Sequence, residues 1–179
     1  MMVKHILSVL LCSCAILMAG STAARSADLP EGVSVGDVAP NFLVKNIDGK
    51  MIALTSFGEA KGVILIFTCN HCPYSVANED RIIALHKTYA PKGWPVLAVN
   101  PNDPETVPED SFEKMQERAK DKGFPFPYAM DQTQEVAKAY GARRTPHVYL
   151  LQNTGKGFRV AYIGAIDDSP RKAEGVSER

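Results

Sequence analysis

The sequence predicts an α/β or α+β sandwich built around a central sheet, and three observations carry that reading. Val63-Ile64-Leu65-Ile66-Phe67 is an unbroken apolar and largely β-branched run, as expected of a strand covered on both faces of a mostly parallel sheet. After Pro73 the hydrophobic period changes from that of a strand to that of a helix. Further along, strand-length apolar runs alternate with helical patterns until a closing hairpin.

In chain order, the segment from Val35 opens the folded domain. Residues 42–46 and 51–54 read as a hairpin closed by Ile47-Asp48-Gly49-Lys50, because Asp-Gly supplies the positive φ that a tight turn needs. Residues 55–59 make a short connection of about one helical turn. The buried strand 63–67 leads through Thr68-Cys69-Asn70-His71-Cys72-Pro73 into a helix that runs to Tyr89 and is closed by Pro91-Lys92-Gly93. The next strand is 96–100, followed by a proline-rich loop over 101–108 and a charged amphipathic helix from Glu109 to Lys122 that stops at Gly123. Phe124-Pro125-Phe126-Pro127-Tyr128 is extended, its aromatics suited to core or groove wall, and a helix over 132–140 is capped by Gly141. Strands 147–151 and 158–163 flank an Asn-Thr-Gly turn. On a helical wheel with Cys72 at zero, Val76, Ile82, Ile83 and Tyr89 share one arc, which is the expected buried face.

Composition narrows the function. At 179 residues the chain holds one domain with a sizeable core. Lysine plus arginine equals aspartate plus glutamate at 20 each, so no net field draws it to nucleic acid or an anionic membrane. Lys4 and His5, the apolar run 6–19 and the small residues 20–24 form a secretory leader cleaved near Ala24; the run is too short to span a bilayer. The expected organisation is therefore a leader over 1–24, a linker over 25–34, the domain over 35–168 and a polar tail over 169–179. The protein is expected to be exported, to the periplasm in a Gram-negative source, without stable membrane insertion after processing.

Cys12 and Cys14 leave with the leader, so the mature chain keeps Cys69 and Cys72. A CxxC bridge closes too small a loop to stabilise much through chain entropy, and a zinc site would need further ligands that only His71 and His147 offer. A redox couple is the simplest use of the pair. Its place at a helix start, where free N–H groups and the positive end of the macrodipole favour a thiolate, suits that chemistry. No cofactor is called for.

Gly36-Asp37-x-Ala39-Pro40-x-Phe42, Phe67-Thr68-Cys69-x-x-Cys72-Pro73 and Tyr140-Gly141-x-x-x-Thr145-Pro146, in this order, resemble the thioredoxin-like redoxins. The most similar branch groups alkyl hydroperoxide reductases and thiol-specific antioxidants with exported CxxC thiol–disulfide oxidoreductases, and the likeness runs from about Val35 to Asp168. The resemblance implies an α/β thioredoxin-like sandwich, a central mixed sheet flanked by helices, here with an N-terminal β-hairpin extension. It implies disulfide exchange with protein thiols and disulfides and a redox partner protein. It also makes Pro146 a cis-proline facing the couple. Two departures stand out: the strand before the cysteines lacks the family's carboxylate, and the polar stretch from Asp167 offers no C-terminal helix to cover the last strands.

The catalytic set is thus Cys69, Cys72 and Pro146. Cys69 is expected to lie nearer the exposed end of the helix and to attack, and Cys72 to be buried and to resolve the mixed disulfide. Thr145, His71 and His147 are modulators; an imidazolium at His71 would stabilise a thiolate. Arg143 and Arg144 read as solvated surface charges. Glu79 falls about 20° from Cys72 on the wheel, which makes it a candidate for the missing base, against the reading that it pairs with a lysine or arginine. The alternatives to an oxidoreductase are a thiol peroxidase and a copper chaperone using Cys69, Cys72 and His147. Cys69 stands where peroxidases of the branch carry threonine, which counts against the first.

Overall fold

The computed structural model describes residues 32–169 and 171–177. The proposed leader, with Cys12 and Cys14, lies outside these residues. Among them no helix is long and apolar enough to cross a membrane.

Among the described residues seven strands form one mixed sheet: β1 (Leu43–Asn46), β2 (Met51–Ala53), β3 (Gly62–Phe67), β4 (Val96–Asn100), β5 (Tyr128–Met130), β6 (His147–Asn153) and β7 (Phe158–Gly164). Their spatial order is β2-β1-β5-β4-β3-β6-β7. The centre, β5-β4-β3, is parallel, and every other pairing is antiparallel. The helices are α1 (Pro73–Tyr89), α2 (Phe112–Lys122) and α3 (Glu135–Tyr140).

The run that opened the prediction is the middle of this sheet. Its side chains alternate between two cores, as the period of a strand demands. Val63, Leu65 and Phe67 join Phe42, Tyr140 and Tyr149 on the α3 side, whereas Ile64 and Ile66 join Ile82, Met115 and Phe126 beneath α1 and α2. Burying each such side chain stabilises the fold by roughly 1.5–3 kcal/mol, which explains why a parallel centre reads as continuous hydrophobicity. Gly62 starts β3 against the Trp94 indole: a Cβ there would meet Trp94 at 2.1 Å and the Leu151 carbonyl at 2.4 Å, so a side chain is excluded. In the β1–β2 turn Gly49 carries the positive φ, at 84°.

Three expectations need correction. The extended stretch at Phe124 to Tyr128 delivers a true strand, β5, beginning only at Tyr128; two prolines disguise its approach. The face of α1 turned to the protein matches the apolar arc of the wheel only in part, at Ile82 and Ile83. Ser75, Asn78, Glu79 and Ile82 are buried, while Val76 and Tyr89 are exposed at 36% and 41%. The helix starts at Pro73 and must seat its first turn against the polar Thr145 loop, which rotates small and polar side chains inward. The charged helix α2 begins at Phe112, preceded by a 3-10 turn over Pro108–Asp110, with Ser111 as N-cap.

Beyond β7 the described residues contain a 3-10 turn at Ala173–Gly175 and no α-helix. Instead Arg81 of α1 holds the returning chain, donating to both Asp167 carboxylate oxygens at 2.8 and 2.9 Å and to the Ser169 carbonyl at 2.7 Å. A hollow of about 340 Å³ lined by Leu85, Tyr89, Trp94, Leu150, Tyr162 and Ile166 remains on that face.

Candidate active site

β3 and α1 meet at the cysteines. Thr68 continues the ladder by donating to the Val99 carbonyl at 2.9 Å, so Cys69 sits just past the end of the strand. Cys72 is the N-cap of α1, with φ −62° and ψ 123°, and Pro73 takes the first helical position, where a missing N–H costs nothing. The two thiols are free.

This placement reverses the expected exposure. Cys69 is buried at 4%, and Cys72 is the more open of the two. The cause is that the helix begins after Cys72: an N-cap faces solvent, whereas a strand end lies beneath the next loop. That loop is 141–146, whose Thr145-Pro146 peptide is cis, as the resemblance implied. Thr145 touches both sulfurs. Its Oγ1 lies 3.3 Å from Cys69 Sγ, and its carbonyl accepts from Cys72 Sγ at 3.4 Å. Ser75, fully buried in the first turn of α1, closes the other side of Cys69, with Oγ 3.6 Å from Sγ and accepting from the Cys69 N–H at 3.4 Å.

The two environments separate the thiols chemically. Burial pushes the Cys69 thiol above its ordinary value; the Thr145 and Ser75 hydroxyls oppose this without overcoming it, and the charge of Asp110 adds to the rise. Around Cys72 burial acts in the same direction. There the N–H groups of Ser75 and Tyr74 and the hydroxyls of Thr145 and Ser75 outweigh it, and the thiol is held below its ordinary value.

The residues between the cysteines are pinned by a side chain that sequence reasoning missed. Asp110, fully buried, ends the 3-10 turn before α2. Its Oδ1 accepts from the Asn70 N–H at 2.6 Å; its Oδ2 accepts from Asn102 Nδ2 at 2.7 Å and faces His71 Nδ1 at 2.5 Å. Asn70 in turn donates to the Glu109 carbonyl at 2.9 Å and accepts from the Tyr128 hydroxyl at 3.0 Å. The one signal available was an aspartate just ahead of a helix N-cap, which ordinarily reads as a solvated first-turn charge.

Glu79 is buried at 4%, yet it is paired as the competing reading expected. Arg118 of α2 grips it in two-pronged fashion at 2.7 and 2.8 Å, and Lys122 adds a contact at 3.3 Å. His147 sits at the start of β6, 7% exposed, and its Nδ1 is engaged by the Tyr149 hydroxyl at 3.1 Å and the Arg143 N–H at 3.4 Å. Burial, then the charges of Arg144 and Arg143, lower its pKa to about 4. It is therefore neutral at pH 7, with its Nδ1 facing these donors. The cluster of metal-capable donors among the described residues is Cys69, His71 and Asp110 instead. Beside Thr145 and Pro146 lies a hollow of about 460 Å³ lined also by Tyr74, Asn78, Arg144 and Ile166.

Comparison with known proteins fits this geometry. The chain is 32% identical over 124 residues to the thiol-disulfide oxidoreductase ResA of Geobacillus thermodenitrificans, covering 69% of this chain and 67% of that one. It thus spans about two thirds of that relative's length. Among solved structures, an uncharacterized conserved protein of Geobacillus kaustophilus superposes with a TM-score of 0.74 at 38% identity, covering 82% and 76% of the two chains. The thioredoxin domain of a Bacteroides vulgatus thiol-disulfide oxidoreductase superposes with a TM-score of 0.62 at 16% identity, covering 75% and 90%, and shares the thioredoxin-like fold. The AhpC/TSA family model matches residues 35–163, a span that holds both cysteines, Asp110 and the cis Thr145-Pro146 pair, and the chain belongs to that family.

Proposed function

We propose that the protein is an exported thiol–disulfide oxidoreductase that exchanges disulfides with partner proteins through the Cys69/Cys72 couple. The observation that carries this reading is the difference between the thiols. A half-buried cysteine with a lowered pKa donates to the Thr145 carbonyl, and a buried cysteine with a raised pKa stands three residues before it. Cys72 attacks the partner disulfide as a thiolate, forming a Cys72–partner bond and releasing one partner thiolate. Cys69 then loses its proton and attacks Cys72 Sγ. The intramolecular disulfide closes, the second partner thiolate leaves, and two electrons have passed to the partner. Run backwards, the same steps oxidise a dithiol. Pro146 and Thr145 form the wall against which the partner strand lies. The name of the ResA relative supports the reaction class, and the leader over 1–24 supports export.

The test is to offer the reduced protein insulin disulfide, hydrogen peroxide and Cu(I) separately. Insulin reduction that is lost in Cys72→Ser, with stable mixed disulfides trapped by Cys69→Ser, is the expected result. Rapid peroxide consumption without insulin reduction would overturn it in favour of a thiol peroxidase, and tight Cu(I) binding without either activity would point to a copper chaperone.

A further inference from the structure

We propose that a cationic hollow lined by Lys138, Arg143 and Arg144 is a docking subsite for acidic side chains flanking the reactive cysteine of a partner protein, a specificity that rests on the oxidoreductase reading above. With 20 lysines and arginines against 20 aspartates and glutamates, the chain has no net field to steer a partner, so selection by charge must come from a local patch. Thr145, which touches both sulfurs, lines this hollow of about 310 Å³ together with the three cations, Asn102 and Gln134. No carboxylate lines it. Arg144 and Thr145 also line the hollow beside Pro146, so the charged surface adjoins the wall against which a partner strand lies on that reading.

All three cations are exposed, and among the described residues none of them forms an ion pair, whereas Arg81, Lys114, Arg118 and Lys122 each meet a carboxylate. The acids at the start of α3 do not neutralise the hollow from its lining. Asp131 and Glu135 line a different one, and both Asp131 oxygens accept from helix N–H groups, those of Val136 and Ala137. The backbone carrying the cations is held in place: the Gly141 and Ala142 N–H groups donate to the Lys138 and Ala137 carbonyls at 3.1 and 2.8 Å, and the Arg143 N–H donates to His147 Nδ1 at 3.4 Å. Their field also reaches inward, since the charges of Arg144 and Arg143 help to lower the His147 pKa. Across the sheet, on the α2 face, Asn70 of the redox loop lines a hollow with Glu109, Glu117 and Asp121, whose cations Lys114 and Arg118 are held by Glu117 and Glu79. The redox loop therefore lies between a basic rim and an acidic one. Rim charges act mainly on encounter and fade with salt. An acidic run on one flank of the partner's cysteine is drawn in and one on the other flank is repelled, which sets the direction in which the partner strand lies.

The probes are peptides whose single cysteine carries a thiopyridyl group in a mixed disulfide, with a run of glutamate, glutamine or lysine on one flank. Cys72 as thiolate attacks the peptide sulfur, the disulfide breaks with its electron pair on the thiopyridyl sulfur, and the coloured thiopyridone released gives a second-order rate. At low ionic strength, and on one of the two flanks, the glutamate peptide is expected to react about tenfold faster than the lysine peptide, with glutamine between them. Salt at about 0.5 M should bring the three rates within about twofold of one another. The variant Lys138→Gln/Arg143→Gln/Arg144→Gln should cut the glutamate-to-lysine ratio to less than about threefold. The control Lys61→Gln/Lys92→Gln/Lys156→Gln removes the same charge at the far end of the sheet, before β3, before β4 and in the β6–β7 turn, and should keep the parent ratio. Equal loss of preference in the control would overturn the subsite in favour of net charge, and so would an equal preference from both flanks. A variant slowed alike with all three peptides would overturn it too, since that marks a structural role. A small dianionic nitrobenzoate disulfide is the remaining arm: a variant that loses rate with it while keeping the peptide ratio would assign the hollow to a small anionic disulfide instead of a protein segment. Absence of thiopyridone release by the parent from every peptide would overturn the oxidoreductase reading itself.

Discussion

Glu79 and Asp110 are both buried carboxylates, and their surroundings are opposites. At the α1–α2 interface Glu79 meets Arg118 through two hydrogen bonds and Lys122 through a third contact. At the β4–α2 corner Asp110 meets two neutral N–H donors and one imidazole. A carboxylate matched by permanent cations has its charge cancelled at every working pH and serves to dock one helix on another. A carboxylate matched by neutral donors and an imidazole instead fixes the loop it faces, here at the Asn70 N–H. Burial alone therefore does not mark a functional acid; the partners decide.

The largest effect that could break this comparison lies at the cysteines, whose loop Asp110 holds through the Asn70 N–H. Cys72→Ser should abolish insulin reduction, while Cys69→Ser should accumulate mixed disulfides visible on a non-reducing gel; the opposite pattern would restore the roles read from the sequence. Next comes a crossed pair of substitutions. Glu79→Ala leaves Arg118 without its partner and should cost about 2 kcal/mol in a denaturant titration, with the pH dependence of disulfide closure unaltered. If closure slows and stability does not fall, the two carboxylates have been assigned the wrong way round.

A smaller effect contrasts His71 with His147, a buried imidazole that faces arginines rather than a carboxylate. The folded-state pKa of His147 is about 4 against an ordinary 6.5, so the unfolded chain binds this proton more readily. Stability from this site is complete above about 6.5 and declines as the pH falls towards about 4. His147→Gln should flatten that decline, followed by thermal unfolding at several pH values, and a slope unchanged by the substitution would reject the assignment. Smallest of all, Lys122→Ala should change stability by less than about 0.5 kcal/mol, because a half-exposed third partner adds little to a two-pronged arginine.

Much of the fold was legible because it depends on local pattern. The apolar run of β3, the Pro73 helix start and the Gly123 and Gly141 stops each follow from steric or hydrophobic rules that act within a few residues. The cysteine pair and Thr145-Pro146 were legible as motifs. What escaped depends on closure over long sequence distances. Asp110 reaches Asn70 across 40 positions and falls in what the sequence reads as the first turn of a charged helix, where an aspartate announces only solvent. The order of exposure of the two thiols escaped because a wheel centred on Cys72 treats it as helical; one residue's difference in where α1 begins makes Cys72 a cap and Cys69 a strand end. The polar inner face of α1 escaped for the same reason, since Ser75 is buried by Cys69 rather than by hydrophobicity.

Thr145 is in contact with both sulfurs at once, through its hydroxyl to Cys69 and its carbonyl to Cys72. Forming the disulfide must redraw both contacts, so the surface that a partner meets at Thr145 differs between the two redox states. Thermodynamic reciprocity then links docking to electron affinity. A partner that binds the oxidised form tenfold more tightly than the reduced form lowers the potential of the bound couple by about 30 mV, and one with the opposite preference raises it by as much. On the proposed reading, the couple then has no single reducing power: each partner, by the way it rests on one threonine, sets the potential at which it is served.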